Sequence, residues 1–290
     1  MRSQLFVPGD SLKKLEKGLS SDADCLFIDL EDSVALSQKA KARPMVREFL
    51  QAARQVEKRP LLYVRVNALD SGLTDADLAA IMAGRPNGIV LPKCLSGADV
   101  QHLGAKLAVL EAEAGIEDGA TRIIPIATET AAAIFNMGTY RGASQRIAGI
   151  TWGAEDLSAD LGAETNRAGD GGYTQPYQLA RSLTLFAAAA AGVPAIDTVF
   201  PNFRAEDSFR KECEAARRDG FTAKMAIHPA QVPVINEVFT PSPEAIAEAR
   251  AIIAAFADNP GAGVTSLNGE MLDRPHLERA KRVLARAPKG

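Results

Sequence analysis

Only three cysteines, Cys25, Cys94 and Cys213, occur in 290 residues. Odd in number and far apart, they supply neither a disulfide framework nor a cysteine-based zinc site. Histidine is equally scarce: His102, His228 and His276 are scattered without metal-ligand spacing, so zinc has no ligand set. No apolar run approaches the roughly 18 residues that a membrane helix requires. The opening Met1-Arg2-Ser3-Gln4-Leu5-Phe6-Val7-Pro8-Gly9 enters a strand-like segment directly and lacks the layout of a signal peptide, which points to the cytoplasm. Basic charge is not in surplus either. Lys+Arg 33 against Asp+Glu 36 gives a net charge of −3, which argues against nucleic acid or an anionic membrane as partner. A Walker motif, a Gly-x-Ser-x-Gly elbow and a cysteine nucleophile with a histidine partner are missing. So is the Gly-x-Gly-x-x-Gly fingerprint; Val7-Pro8-Gly9-Asp10 stands where a dinucleotide fold would carry it. What remains is an ordinary globular balance, 47% apolar and 24% charged, which excludes disorder.

Eight short apolar runs punctuate the chain, at residues 5–7, 25–30, 61–66, 88–91, 122–127, 147–152, 195–200 and 223–227. Each is rich in Ile, Val, Leu or Phe without clean alternation, the pattern of strands buried on both faces of a parallel sheet. Helical patterns lie between them. Val100, Leu103, Leu107 and Leu110 recur on one helical face, and Pro176 starts a Leu/Ala-rich segment. The mean repeat is about 31 residues, and a βαβ unit takes roughly 30. The expectation is therefore an α/β fold, a (β/α)8 TIM barrel over residues 1–240. A C-terminal helical extension over 241–290 should follow, with helices near 243–257 and 274–286 joined by a flexible Gly/Pro/Ser/Asn-rich stretch at 259–269.

In such a barrel the chemistry gathers on the loops that follow the strands. The strand ends carry Asp29-Leu30-Glu31-Asp32, Arg65 with Asn67, Pro92-Lys93, Thr128-Glu129-Thr130, Glu155-Asp156 and His228-Pro229. Any one of these reads as a solvated charge or a salt bridge; six together read as a site. Glu129 and Asp156 are the sharpest pair, because neighbouring strand ends about 4.8 Å apart let two carboxylates share a cation. Two hard oxygen donors with open positions describe Mg²⁺, with Mn²⁺ as a substitute. If the sixth strand stays extended, only one of Glu155 and Asp156 points at the metal. Arg65, forked and always charged, suits a carboxylate or oxyanion. Lys93 reads either as a Schiff-base lysine or, more simply, as a charge partner of the acids. Phe6 and Lys13, near the rim, fit either a cofactor's adenine and phosphate or plain core packing and a solvated helix face.

These residues resemble a known family. Leu5-Phe6-Val7-Pro8-Gly9, Phe27-Ile28-Asp29-Leu30-Glu31-Asp32-Ser33-Val34, Val64-Arg65-Val66-Asn67 and Leu91-Pro92-Lys93 are similar to the citrate lyase β-subunit-like enzymes of the HpcH/HpaI aldolase superfamily. Ala127-Thr128-Glu129-Thr130, Trp152-Gly153-Ala154-Glu155-Asp156-Leu157, Lys224-Met225-Ala226-Ile227-His228-Pro229 and Gly269-Glu270-Met271-Leu272-Asp273-Arg274-Pro275-His276-Leu277 extend the match over nearly the whole chain. The resemblance implies a Mg²⁺-dependent lyase that cleaves or forms a C–C bond in 3-hydroxyacyl-CoA thioesters such as malyl-CoA or citramalyl-CoA, with acetyl-CoA and a 2-keto acid as products. It implies Glu129 and Asp156 as metal ligands, Arg65 and Glu129 at the substrate, and Asp273 as an acid/base delivered by a neighbouring subunit's tail in a homotrimer or dimer of trimers. Related readings are a citryl-acyl-carrier lyase β-subunit, a pyruvate-dependent class II aldolase, a malyl-CoA thioesterase and a metabolite-binding subunit without activity of its own. For Asp273 the sequence also offers a plain helix cap, with Pro275 two residues on.

Overall fold

The structure is a computed structural model that describes residues 1–259, 261 and 263–288. The chain divides into two compact units, Met1–Ile235 and Asn236–Gly290. In the first, eight strands alternate with helices: β1 (Ser3–Pro8), β2 (Cys25–Asp29), β3 (Leu61–Arg65), β4 (Gly88–Leu91), β5 (Arg122–Pro125), β6 (Ile150–Thr151), β7 (Ala195–Asp197) and β8 (Ala223–Ala226). Paired neighbours are parallel, in the order β5-β4-β3-β2-β1-β8-β7-β6. Parallel bridges Ile123↔Ile147 and Ile126↔Thr151 join β5 to β6 and close the ring. This is the (β/α)8 barrel that eight regularly spaced apolar runs imply.

Strand six is shorter than its apolar run. Pro125 has no N–H to give to the ladder, and the seam is carried by isolated bonds, Ala148 N to Ile123 O (2.9 Å) and Ala127 N to Thr151 O (2.9 Å). Glu155 and Asp156 consequently sit in the first turn of a helix, Ala154–Asp160, rather than at the end of an extended strand.

Strand alternation decides what the barrel encloses. On β2, Cys25 and Phe27 face inward and pack with Tyr63 of β3, Val90 of β4, Ile124 of β5 and Met225 of β8. Two residues beyond Phe27 the same face brings Asp29 inward, and two beyond Tyr63 it brings Arg65. The β2–β3 register sets Asp29 opposite Arg65. On the outer face of the wall, Lys224 and Asp197 are fully buried and pair at 2.8 Å. Lys224 also reaches Glu212 of helix Glu206–Asp219 at 2.9 Å, and Trp152 Nε1 donates to Asp197 at 2.8 Å. A buried charge is tolerable only when paired in this way.

The second unit holds helix Pro243–Ala257, an antiparallel hairpin of β9 (Val264–Leu267) and β10 (Glu270–Asp273), and helix Arg274–Ala285. The stretch read as a flexible loop at 259–269 thus contains a strand; its Pro260 and Ala262 lie outside the described residues. Asn268 and Gly269, at φ 52° and 83°, supply the two left-handed positions that a tight hairpin turn demands. Among the described residues no helix is long and apolar enough to cross a membrane.

Candidate active site

Arg65 is gripped by Asp29 through both arms of its fork, Nε to Oδ1 at 2.8 Å and Nη2 to Oδ2 at 2.7 Å. Asp29 is almost fully buried and also accepts from the backbone N–H groups of Glu31 (2.8 Å) and Ser33 (3.0 Å). Burial opposes its ionisation, but the bonds and charge of Arg65 outweigh that and hold its carboxyl below the usual range. Burial likewise works against the guanidinium, and Asp29 again prevails, so Arg65 stays charged. The Arg65 guanidinium lies over the Phe6 ring at 4.8 Å, and Phe6 meets Phe27 edge-on at 5.3 Å. Phe6 is therefore a platform under Arg65 at the mouth of the barrel.

A second cation, Lys93, follows β4. Its φ of +49° turns the chain sharply, and its backbone N–H donates to Glu129 Oε2. Its ammonium bonds Glu31 Oε1 and stands 3.5 Å from Asp156 and 3.7 Å from Asp32. These carboxylates hold the lysine protonated well above its ordinary value despite partial burial. That is the opposite of what a Schiff-base lysine needs, so Lys93 is the charge partner. Glu31 also lies 2.9 Å from Arg65 Nη1, yet burial leaves its carboxyl raised.

Glu129 is 3% exposed, and burial, followed by the charge of Asp156, pushes its carboxyl up to about 8. Gly153 makes this packing possible: a Cβ there would lie 2.7 Å from Glu129 Cγ. Glu155, by contrast, accepts from Asn166 at 2.9 Å and belongs to the loop beside the site. The mouth thus gathers five carboxylates, from Asp29, Glu31, Asp32, Glu129 and Asp156, around two cations, Arg65 and Lys93. This crowding of hard oxygen donors fits one more cation, whose charge would favour the ionised form of Glu129. Among the described residues no three His, Cys, Asp or Glu side chains form a closed metal cage. Two carboxylates such as Glu129 and Asp156 could hold an ion that keeps most of its positions for water or substrate, as Mg²⁺ does. A cavity of about 460 Å³ opens beside the cluster, bounded by Glu31, Asp32, Leu36, Lys39, Asn67 and Lys93 among others.

Other rim residues serve the frame. Asn67 gives its amide to Asp77 at 2.6 Å and to Leu30 O at 3.1 Å, and Asp77 is fixed in turn by Arg43 at 2.8 Å. Asp77 and Arg43 carry no signal in the sequence, since nothing local ties them to Asn67. His228 stacks on Phe203 with ring centroids 4.3 Å apart. Lys13 is exposed on helix Leu12–Leu19, and none of the contacts described above involves it. Asp273 lies in the second unit, at the end of β10 and before helix Arg274–Ala285. There its N–H donates to His276 Nδ1 at 3.3 Å in a capping box, and its carboxyl is lowered by the bond to His276.

Residues 2–229 match the family model described as HpcH/HpaI aldolase/citrate lyase. The chain is 37% identical to the citrate lyase subunit beta of Haemophilus influenzae over 291 residues, covering 100% of this chain and 97% of that protein. It is 33% identical to the mitochondrial citramalyl-CoA lyase of Rattus norvegicus over 300 residues, covering 99% and 86%. Among solved structures, CitE of Mycobacterium tuberculosis in complex with magnesium, acetoacetate and coenzyme A superposes with a TM-score of 0.79 at 32% identity, covering 99% of this chain and 98% of that one. With the matching barrel and the acidic mouth, these similarities place the chain in the HpcH/HpaI aldolase/citrate lyase family of enzymes.

Proposed function

We propose that this protein is a Mg²⁺-dependent carbon–carbon lyase for 3-hydroxyacyl-CoA thioesters of the malyl-CoA or citramalyl-CoA type, releasing acetyl-CoA and a 2-keto acid. The observation that carries the proposal is the buried Glu129 carboxylate beside Asp156, at a barrel mouth that also presents a clamped arginine. In the cleavage the C3 hydroxyl gives its proton to a carboxylate of the mouth as the C2–C3 bond breaks. The keto acid forms its carbonyl, and the departing acetyl-CoA enolate takes a proton at carbon. Glu129 and Asp156 would hold the magnesium, which when bound supplies Lewis acidity to the hydroxyl and the neighbouring carboxylate. Arg65, whose Nε and Nη2 engage Asp29 and whose Nη1 faces Glu31 at 2.9 Å, keeps a further N–H on each Nη to hold the substrate's carboxylate or developing oxyanion. Because Asp29 and Phe6 fix the guanidinium beforehand, little reorganisation is spent during reaction. Asp273 of a neighbouring subunit's C-terminal unit would protonate the enolate, in a homotrimer or dimer of trimers.

The Haemophilus relative favours one further reading, a β-subunit acting on an acyl group carried by a protein rather than by free CoA. Purified chain is incubated with malyl-, citramalyl- and citryl-CoA and, separately, with a citryl group on an acyl carrier protein, and free keto acid is read by a coupled assay. Keto acid released from a free CoA ester supports the proposal. Release only from a carrier-bound acyl group supports the β-subunit reading, and release from neither removes both.

A further inference from the structure

Lys93 is the residue of the mouth that the proposed chemistry leaves without a task. Its side chain is about one-third exposed (34%), yet its ammonium reaches Glu31, Asp156 and Asp32, and its own backbone N–H holds Glu129. It therefore touches both carboxylates read here as metal ligands, one through the main chain and one through the side chain. The two contacts have different consequences. The amide bond fixes Glu129 whatever the side chain is, and the positive φ at Lys93 aims that amide. The ammonium adds a full positive charge within 3.5 Å of an Asp156 oxygen.

We propose that Lys93 is a built-in counter-cation of the acidic mouth: it neutralises Asp156 and Glu31 when no divalent ion is held there, and it sets the affinity for that ion by competing with it. The inference rests on the reading of Glu129 and Asp156 as the metal's ligands. A cation arriving at Asp156 meets a like charge already in place, and Lys93 retains Glu31 and Asp32 as partners. The protein thus keeps its five carboxylates from repelling one another without closing the site, at the expense of weaker divalent binding. For a unit charge roughly 5 Å from a divalent ion, Coulomb's law even in a water-like dielectric corresponds to about a tenfold change in affinity or more.

The test is Mn²⁺ binding to the full chain without substrate, followed by the electron paramagnetic resonance signal of free Mn²⁺. Wild type is compared with Lys93→Gln, Lys93→Met and Lys93→Arg, and with Lys58→Gln as a control for net charge at an exposed position before β3. Both neutral variants keep the amide bond to Glu129, and circular dichroism verifies their fold. Each should bind Mn²⁺ about tenfold more tightly or better, while Lys93→Arg stays near wild type and Lys58→Gln matches it. Unchanged or weaker binding in the folded neutral variants, with wild type still binding, overturns the role of Lys93 and leaves the metal reading standing. Absence of saturable Mn²⁺ binding in wild type overturns both.

Discussion

The pairing of Asp29 with Arg65 shows how one residue's function is made by another's position. Alternation along β2 and β3 turns both inward, register sets them opposite, and the fork then has one orientation. Lysine keeps the charge at position 65 but has no fork and cannot engage both Asp29 oxygens from one plane. We expect Arg65→Lys to lower kcat/KM by about 10²–10³, the loss typical of removing one oriented donor to a developing oxyanion. It should also destabilise the fold by about 1–3 kcal/mol, because Asp29 loses a bond inside the barrel. Steady-state kinetics with a urea titration checks both, and a kcat/KM within twofold of wild type would reduce Arg65 to a structural partner of Asp29. At this scale much was legible. Glu129, Asp156 and Lys93 are charged residues placed just past apolar runs and Arg65 is a charge near the end of one, and such placement is visible in one dimension. The commitment of Asn67 to Asp77 and Arg43 was not, because it depends on helices Lys39–Ala53 and Thr74–Ile81 packing side by side.

Elements place Glu129 and Asp156, the proposed metal pair, more than residue identity does. The first turn after β6 brings Asp156 near Lys93, and Gly153 before it leaves the space that the Glu129 side chain occupies. A methyl group at position 153 would fall 2.7 Å from Glu129 Cγ, so Glu129 must move. Gly153→Ala should weaken Mn²⁺ binding about tenfold or more and cost about 1–3 kcal/mol as overpacking. Calorimetric titration reads the affinity, and unaltered binding would mean that Glu129 has slack in its packing or is not a ligand. Strands were the easy elements to read, since burial on both faces writes continuous apolar runs. Their ends were not: Pro125 and the isolated bridges shorten β5 and β6 for reasons that involve their neighbours. The β9–β10 hairpin was hidden differently. Its Asn268-Gly269 turn is a strong local signal, but a stretch rich in Gly, Pro, Ser and Asn also has the composition of a loop.

For the whole molecule, the proposed mechanism draws its acid from a neighbouring chain. Asp273→Asn retains capping ability and loses the titratable carboxyl, whereas Glu129→Gln loses the proposed metal ligand. Each should be nearly inactive alone. After dissociation and reassociation together, activity should return if one subunit's Asp273 serves its neighbour's barrel, because mixed oligomers then contain sites with both groups intact. A mixture as inactive as its components would place the acid within its own chain, and a fully active Asp273→Asn would leave only the helix cap. In the proposed mechanism, lyase chemistry depends on a divalent ion held by Glu129 and Asp156. That dependence is tested most directly by keto-acid release from the best CoA ester, measured in excess EDTA and again after Mg²⁺ is restored. Release should fall to background and return with Mg²⁺ in wild type, and should fail to return in Glu129→Gln. Turnover that persists in EDTA, or that Mg²⁺ restores fully in Glu129→Gln, would contradict it.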